Sequence, residues 1–376
     1  MKHLLSYTFI IALLFSCTNN AQKDRMHKTL NANSDTICSF YDLFCSLEII
    51  PLETADSSIL NPRTVEFKVN DEKFYVLDDK QMLVMTFDKT GKYITTIDKK
   101  GQGPGEYREL YDFAFNPFTG NLELLDPHSG INIYNKDNYK FIKRINKPKQ
   151  LPVLHRFSPI TPNEYLLFCE SKDGNKMAIY NIKKEEITSD LYDVPRYLLF
   201  NTFYHHTYSP FYILDNKVHF IQGYDGKVFT LEGNQLSEKY CWDFGPQNFK
   251  LENLPADKDI RFYFNWDKTV GKNYATCFVK YAENSKYYMT QYRFNGKNHH
   301  LIYNKEDKNT FIFTAFQEGN FSTPTIMDEN FAYSIVIPQL LEYYVNPNLL
   351  DEKGKEIFKN IQEDDNPIIL KYKFKK

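Results

Sequence analysis

The feature that most constrains this chain is a unit of strands and turns that recurs about every 45 residues. Its predicted strands are short, rich in aromatic and β-branched residues, and bounded by Asp, Asn or Gly, as in antiparallel strands joined by tight turns. The first copy comprises Val65–Val69, Lys73–Asp78, Met82–Asp88 and Tyr93–Asp98. The second comprises Tyr111–Asn116, Asn121–Asp126, Ile131–Asn135 and Tyr139–Ile145. Four strands at this spacing predict one blade of a β-propeller.

Four looser copies follow, and they open at Arg156–Pro159, Phe203–His206, Phe278–Tyr281 and Thr325. Six units fit the length, so the predicted fold is all-β, a six-bladed β-propeller. The interval Phe244–Asn273, which contains Arg261 and Trp266, is predicted to be an elaborated loop between blades.

A closed ring needs a strand from the other end of the chain to complete its last blade, because an open edge would otherwise remain. Leu47–Leu52 is the candidate, and Pro367–Phe374 offers another strand for the same sheet. The amphipathic stretch Leu349–Ile361 predicts a short helix near the C-terminus, inserted before that last strand.

The first residues have the pattern of a secretory signal peptide, a basic Lys2 followed by the apolar run Leu4–Phe15. The order Leu14-Phe15-Ser16-Cys17 resembles a lipobox, which predicts removal of residues 1–16 and acylation of Cys17. A secreted protein in which Cys17 ends the apolar run by chance is the alternative. The polar residues 17–45 are predicted to be a lipid-anchored tether, and 46–376 the propeller.

These assignments predict an exported protein that is anchored by its N-terminal lipid in the cell envelope, on the periplasmic or the surface face of the outer membrane. Nucleic acid is not an expected partner, because 46 basic and 48 acidic residues alternate along the chain without a basic stripe. The six cysteines form no C-x-x-C pair, so no redox dithiol is indicated, and a Cys38–Cys45 bridge and separate thiols both remain open.

A glycine-rich motif follows the first predicted blade: Gly101-Gln102-Gly103-Pro104-Gly105-Glu106-Tyr107. It resembles the G-x-G-P-G-E-[FY] motif of the six-bladed β-propeller lipoproteins, a bacterial family related in architecture to NHL and TolB-like propellers. The resemblance implies the fold and export, and it implies no common reaction. Glycines and a proline allow a tight crossing between blades, whereas consecutive amides in such a turn could also bind an anion.

Neither a catalytic motif nor a metal-ligand spacing is present: G-x-S-x-G is missing, and adjacent histidines on a strand face opposite sides. Ligand binding is instead expected at the mouth of the central channel. Side chains there that suit anions or sugars are predicted to be Arg63, His155, Arg156, Tyr204, His205, Arg261 and Tyr281. Packing between blades is the alternative role for each of them.

The leading hypothesis is a binding protein without catalysis or cofactor, whose partner is an envelope glycan, peptide or protein. The alternative is a hydrolase or lyase with a divalent cation, such as Ca²⁺, in the central channel.

Overall fold

The computed structural model describes residues 25–61, 66–171, 174–195, 209–250, 252 and 260–375. Two strands precede the first complete blade, β1 (Met26–Thr29) and β2 (Phe44–Pro51), and the short helix α1 (Phe40–Leu43) lies between them.

The first three blades are four-stranded antiparallel sheets, each made of strands that are consecutive in the chain. Blade 1 contains β3 to β6: Glu66–Asn70, Lys73–Asp78, Leu83–Phe87 and Tyr93–Ile97. Blade 2 contains β7 to β10: Asp112–Phe115, Leu122–Asp126, Gly130–Tyr134 and Phe141–Asn146. Blade 3 contains β11 to β14: Val153–Thr161, Glu164–Ser171, Gly174–Asn181 and Glu186–Pro195.

Among the last three blades, blades 4 and 6 also include a strand from the N-terminal segment, whereas blade 5 is made of consecutive strands only. Blade 4 contains β15 to β18: Phe211–Leu214, Lys217–Ile221, Lys227–Glu232 and Gln235–Asp243. Blade 5 contains β19 to β22: Thr276–Glu283, Tyr287–Phe294, Lys297–Asn304 and Thr310–Phe313. Blade 6 contains β23 to β25: Ile326–Met327, Phe331–Val336 and Ile368–Phe374.

The ring closes as predicted, because β2 pairs antiparallel with β25 and becomes the outermost strand of blade 6. Leu47 lies opposite Tyr372, and Ile50 lies opposite Ile369. One blade is thus built from both ends of the chain, and the six-bladed fold is confirmed.

The other α-helices of the described residues lie between strands. They are α2 (Ile260–Thr269), α3 (Leu341–Tyr344) and α4 (Glu352–Asn360). The helix expected near the C-terminus is confirmed, and the Asp351 side chain caps it by accepting from Gly354 N at 2.7 Å. The loop predicted over Phe244–Asn273 contains α2, which sequence reasoning missed because its aromatic composition favours strands.

A free tether was expected over residues 17–45, but from Arg25 onward the structure shows this segment packed on the propeller. Strand β1 pairs in parallel with β18, the last strand of blade 4, and thereby adds a fifth strand to that sheet. Ala32 is fully buried, and Asp35 accepts a hydrogen bond from Thr314 N at 3.0 Å. Backbone pairing and burial therefore hold this segment against blades 4 and 5, whereas its polar composition alone indicated a free chain.

The described hydrophobic cores lie between neighbouring blades. Between blades 1 and 2, for example, Tyr75, Val84 and Ile97 pack against Phe113 and Leu124. The blades therefore pack face to face around the axis, and their first strands line a central space.

Candidate functional site

The first strands of all six blades line one cavity of about 460 Å³ on the propeller axis, here called the axial cavity. Its aromatic and apolar lining includes Phe67, Phe115, Phe157, Phe211, Tyr212, Tyr281 and Ile326. Its polar lining includes Glu66, Lys68, Asn70, Ser158, Ser209, Lys280 and Thr325. Apolar surface with a few convergent polar groups is typical of a ligand-binding site.

Four charged side chains from blades 1 to 3 form an ion cluster beside the axial cavity, and two of them, Glu66 and Lys68, line it. Arg156 Nη2 lies 3.2 Å from Glu66 Oε2, and Lys68 Nζ lies 3.4 Å from Asp112 Oδ1. Asp112 also accepts from Phe157 N at 3.2 Å, and Arg156 donates to the Tyr111 carbonyl. The cluster therefore ties three blades together at the axis.

The two carboxyl groups of this cluster interact directly. Burial raises the pKa of Glu66 to about 7; the nearby Arg156 opposes this rise, whereas Asp112 adds to it through its charge and a hydrogen bond. A proton on Glu66 near neutral pH would relieve the repulsion between the two carboxylates.

β-Bulges in blades 3 and 5 determine the direction in which side chains near the site point. In blade 3, Leu154 and Arg156 face consecutive partners on β12, so His155 is an extra residue. In blade 5, Val279 and Ala282 face Gln291 and Met289, and Lys280 has a positive φ of 51°. Consecutive side chains of a regular strand point to opposite faces, but this irregularity lets Lys280 and Tyr281 both line the axial cavity.

Tyr281 contributes a hydroxyl group that is not hydrogen-bonded within the described part of the chain. The residue is only 8% exposed, and leaving a buried hydroxyl without a partner costs about 1–3 kcal/mol. Burial raises the pKa of Tyr281 well above its usual value, so the group stays protonated and can donate. Its position in the cavity lining marks it as a candidate contact for a ligand.

The structure brings together only part of the predicted site. Tyr281 lines the axial cavity, whereas Arg156 does not line it and instead pairs with Glu66, which does. His155 is buried, with its ring 5.4 Å from the Tyr111 ring between centroids. Arg261 is exposed on α2 and does not line the cavity, because its interval forms a helix outside the first strands. Arg63, Tyr204 and His205 lie outside the described residues.

Sequence reasoning missed Glu66, Lys68, Asp112 and Lys280. The repeat alignment held a signal for two of them, because Glu66 and Asp112 are each the second residue of their copy's first predicted strand. In the structure both of these carboxyl groups join the ion cluster, and Glu66 lines the axial cavity. Lys280 had no such signal, since its orientation depends on a bulge.

The glycine-rich motif connects blades 1 and 2. Glu106 folds back so that its Oε2 accepts from Gly103 N at 2.7 Å, and a Cβ on Gly101 would lie 1.9 Å from the same oxygen. Tyr107 donates to the Met82 carbonyl at 2.9 Å, and Tyr134 donates to the Gly105 carbonyl at 2.6 Å. The turn already contains the chain's own carboxylate, which supports the role of a crossing between blades.

Within the described ranges, no three His, Cys, Asp or Glu side chains converge as a metal site would require. Of the adjacent histidines, His300 is 2.6 Å from Thr323 Oγ1 through Nδ1, and His299 stacks on Tyr292. Cys38 and Cys45 are not bridged to each other. No helix in the part of the chain that the structure describes has the length and apolar character to cross a membrane.

Comparison with known proteins supports the fold. A protein of Bacteroides fragilis NCTC 9343 predicted to be exported is 17% identical, with a TM-score of 0.66 over 93% of this chain and 99% of that one. A member of the DUF4221 family from Bacteroides vulgatus ATCC 8482 is 9% identical, with a TM-score of 0.52 over 89% and 97% of the two chains. No curated protein matches the sequence.

The model of one protein family, described as a domain of unknown function (DUF4934), matches residues 27–373. This match includes every blade together with the N-terminal strand that completes blade 6. The chain therefore belongs to the DUF4934 family.

Proposed function

We propose that this protein binds a carbohydrate in the axial cavity and does not transform it. The observation that carries the proposal is the Tyr281 hydroxyl, which is buried in the cavity lining without a hydrogen-bond partner in the described structure. A sugar hydroxyl or ring oxygen could accept from it and so recover the cost of its burial.

Aromatic rings in the lining suit the apolar face of a sugar. Phe115 and Tyr212 are half-buried, so part of each ring is open to the axial cavity. The Tyr212 hydroxyl donates to Glu283 Oε2 at 2.5 Å, which holds this ring in place before any ligand arrives. A fixed stacking surface lowers the entropic cost of binding.

The size of the axial cavity bears on which expected partner, a glycan, a peptide or a protein, could bind there. A space of about 460 Å³ is suited to a ligand of a few sugar rings or a short peptide. We favour the carbohydrate because the lining combines aromatic rings with side-chain hydrogen-bond donors.

Absence of catalysis is part of the proposal. Four charged groups beside the axial cavity are engaged with each other, since Arg156 pairs with Glu66 and Lys68 with Asp112. One observation favours the alternative, a hydrolase or lyase: a carboxyl group with a pKa of about 7 beside a second carboxyl group could act as a general acid. In this alternative, the carboxyl groups of Glu66 and Asp112 are the ones that would bind a Ca²⁺ ion.

We also propose that the protein is exported and anchored through acylated Cys17. The N-terminal sequence supports this placement, and the similar Bacteroides fragilis protein is itself predicted to be exported. Kinship with NHL and TolB-like propellers remains a prediction.

Binding is tested with the full-length chain, purified in detergent, by calorimetry against neutral and acidic oligosaccharides of two to four residues. Tyr281→Phe should weaken binding about three- to tenfold, the value of one hydrogen bond. Tyr292→Phe is the matched control, because its hydroxyl is also buried without a described partner in the same core, but Tyr292 does not line the axial cavity. It should leave the affinity unchanged.

Equal losses in the two variants, or no binding of any oligosaccharide, would reject the proposal. Binding of short peptides instead would reassign the ligand class. Breakdown of the ligand, detected by mass spectrometry and abolished by EDTA, would establish the enzyme alternative.

A further inference from the structure

Glu66 offers the axial cavity a polar group that the proposed hydrogen bond from Tyr281 does not use. Both residues line the cavity, and the Glu66 side chain is 17% exposed. Asp112, the other carboxyl group of the ion cluster, is fully buried and does not line the cavity. An ionised carboxylate has about four acceptor positions. Glu66 can therefore accept from a ligand while it stays paired with Arg156.

The Tyr281 hydroxyl lies within electrostatic range of this carboxyl group. Burial is the main cause of the raised pKa of Tyr281, and the charges of Tyr288 and Glu66 raise it further. Arg156, the partner of Glu66, opposes this rise. The hydroxyl stays protonated and has no hydrogen-bond partner in the part of the chain that the structure describes. A donor and an acceptor that are not bonded to each other thus face the same cavity.

A hydroxyl group on the ligand matches this pair. It must accept from Tyr281 and donate to Glu66; a carboxylate can only accept and an ammonium can only donate, whereas a hydroxyl does both. A hydroxyl that accepts from a phenol also becomes a better donor, because hydrogen bonds in a chain polarise one another. An ionised Glu66 would in addition repel a carboxylate on the ligand. The pair therefore suits a neutral sugar.

Residues of four blades surround Glu66 and influence its charge. Among the described groups, Lys68 of its own strand β3, Asp112 of β7, Arg156 of β11 and Tyr281 of β19 lie near it. Burial raises the pKa of Glu66 to about 7; Arg156 and Lys68 oppose this rise, and Asp112 adds to it. Burial lowers the pKa of Arg156, but the two carboxyl groups more than offset this. Glu66 thus changes its charge near neutral pH beside a cation that does not.

We propose that Glu66 and Tyr281 form one subsite for a neutral sugar hydroxyl, which accepts from Tyr281 and donates to ionised Glu66, and that binding releases a proton from Glu66 to the solvent. This inference rests on the proposed carbohydrate-binding function and deepens it. Its sign follows from linkage: a donor that binds only the charged carboxylate favours that form. The affinity therefore rises as the pH rises through the pKa of Glu66 in the free protein.

Calorimetry on the full-length protein tests this with maltotriose, cellotriose and mannotriose, and with trigalacturonate as the acidic ligand. The affinity for a neutral sugar that binds should fall about tenfold between pH 8 and pH 6, because only the form ionised with a pKa of about 7 is competent. At pH 7, binding should release about half a proton per ligand, measured from the heats in buffers of different ionisation enthalpy.

Glu66→Gln should remove the proton release and the pH dependence, because glutamine cannot ionise. Glu123→Gln is the matched control, since burial also raises the pKa of Glu123 to about 7, but this residue does not line the axial cavity. It should keep both effects. Urea unfolding checks that each variant is folded, and if Glu66→Gln is not, the proton release of the wild type and of Glu123→Gln decides.

Binding of a neutral sugar without proton release, or with higher affinity at pH 6, would overturn the subsite and leave the carbohydrate proposal standing. Loss of the proton release in Glu123→Gln would do the same, because the titrating group would then lie outside the cavity. Tighter binding of trigalacturonate than of every neutral sugar would also overturn it. Binding of none of the four oligosaccharides would reject both proposals.

Discussion

Replacing Glu123 by glutamine should make the protein more stable at alkaline pH. Glu123 is fully buried on β8, where Oε1 accepts from Tyr165 OH at 2.7 Å and from Asn116 Nδ2 at 2.8 Å. Its other oxygen has no hydrogen-bond partner in the described structure. Burial raises the pKa of Glu123 to about 7, although the two hydrogen bonds oppose this rise.

The size of the effect follows from this pKa. The difference between about 7 and the ordinary 4.5 corresponds to about 3 kcal/mol. Because the pKa is raised in the folded state, the stabilisation is complete below pH 4.5 and is lost as the pH rises to about 7. Glutamine cannot ionise, so the variant avoids that loss.

Urea unfolding, followed by the fluorescence of buried Trp242 and Trp266, measures this difference between pH 4.5 and 8.5. We expect the wild type to lose up to about 3 kcal/mol relative to Glu123→Gln over this range. Burial also raises the pKa values of Glu66 and Asp225, so both contribute to the pH dependence of the free energy of unfolding. Their contributions are the same in the wild type and the variant and cancel in the comparison.

Glu186→Gln is the control, since this side chain is 56% exposed and should show no such difference. If the difference in the free energy of unfolding between the wild type and Glu123→Gln stays constant with pH, the reasoning is refuted. Ionisation of Glu123 would then not destabilise the folded state.

Two further predictions concern the N-terminus and the motif. Labelling with a fatty-acid analogue should modify the wild type but not Cys17→Ala, and full labelling of the variant would reject the anchor. Gly105→Ala should destabilise the protein by about 1–3 kcal/mol, because φ is +75° and the new Cβ would lie 2.3 Å from the Phe141 ring. Gly120→Ala has a similar φ of +69° but open space, so urea unfolding should show a smaller loss, and equal losses would exclude the contact with Phe141.

The fold was largely predictable because each blade repeats a local pattern. The first predicted strand, Val65–Val69, differs by one residue from the observed Glu66–Asn70, and the closing strand was placed in the correct blade. Turn residues explain this success: Asp78 and Asp126 end the second strands of blades 1 and 2, and each accepts backbone N–H groups of the following turn.

Prediction was poorer where long-range pairing decides the structure. Strand β1 is polar, and only its pairing with β18 makes it a strand. The opening of blade 4 predicted at Phe203–His206 lies outside the described residues, and the first described strand of that blade is Phe211–Leu214.

The site was less predictable than the fold. Tyr281 was found because blade entries face the axis, but its neighbour Lys280 is brought there by a β-bulge that no turn residue announces. The pairing of Arg156 with Glu66 joins residues from different blades. Such contacts depend on how the blades are arranged around the ring, which periodicity within one blade does not determine.

The central claim is that a carbohydrate occupies the axial cavity, and a crystal structure of the full-length protein grown with a bound oligosaccharide tests it most directly. We expect electron density for a sugar ring between the first strands of the six blades, with an oxygen at hydrogen-bonding distance from Tyr281 Oη. Density for the sugar on an outer face of a blade, with the axial cavity holding only solvent, would contradict it.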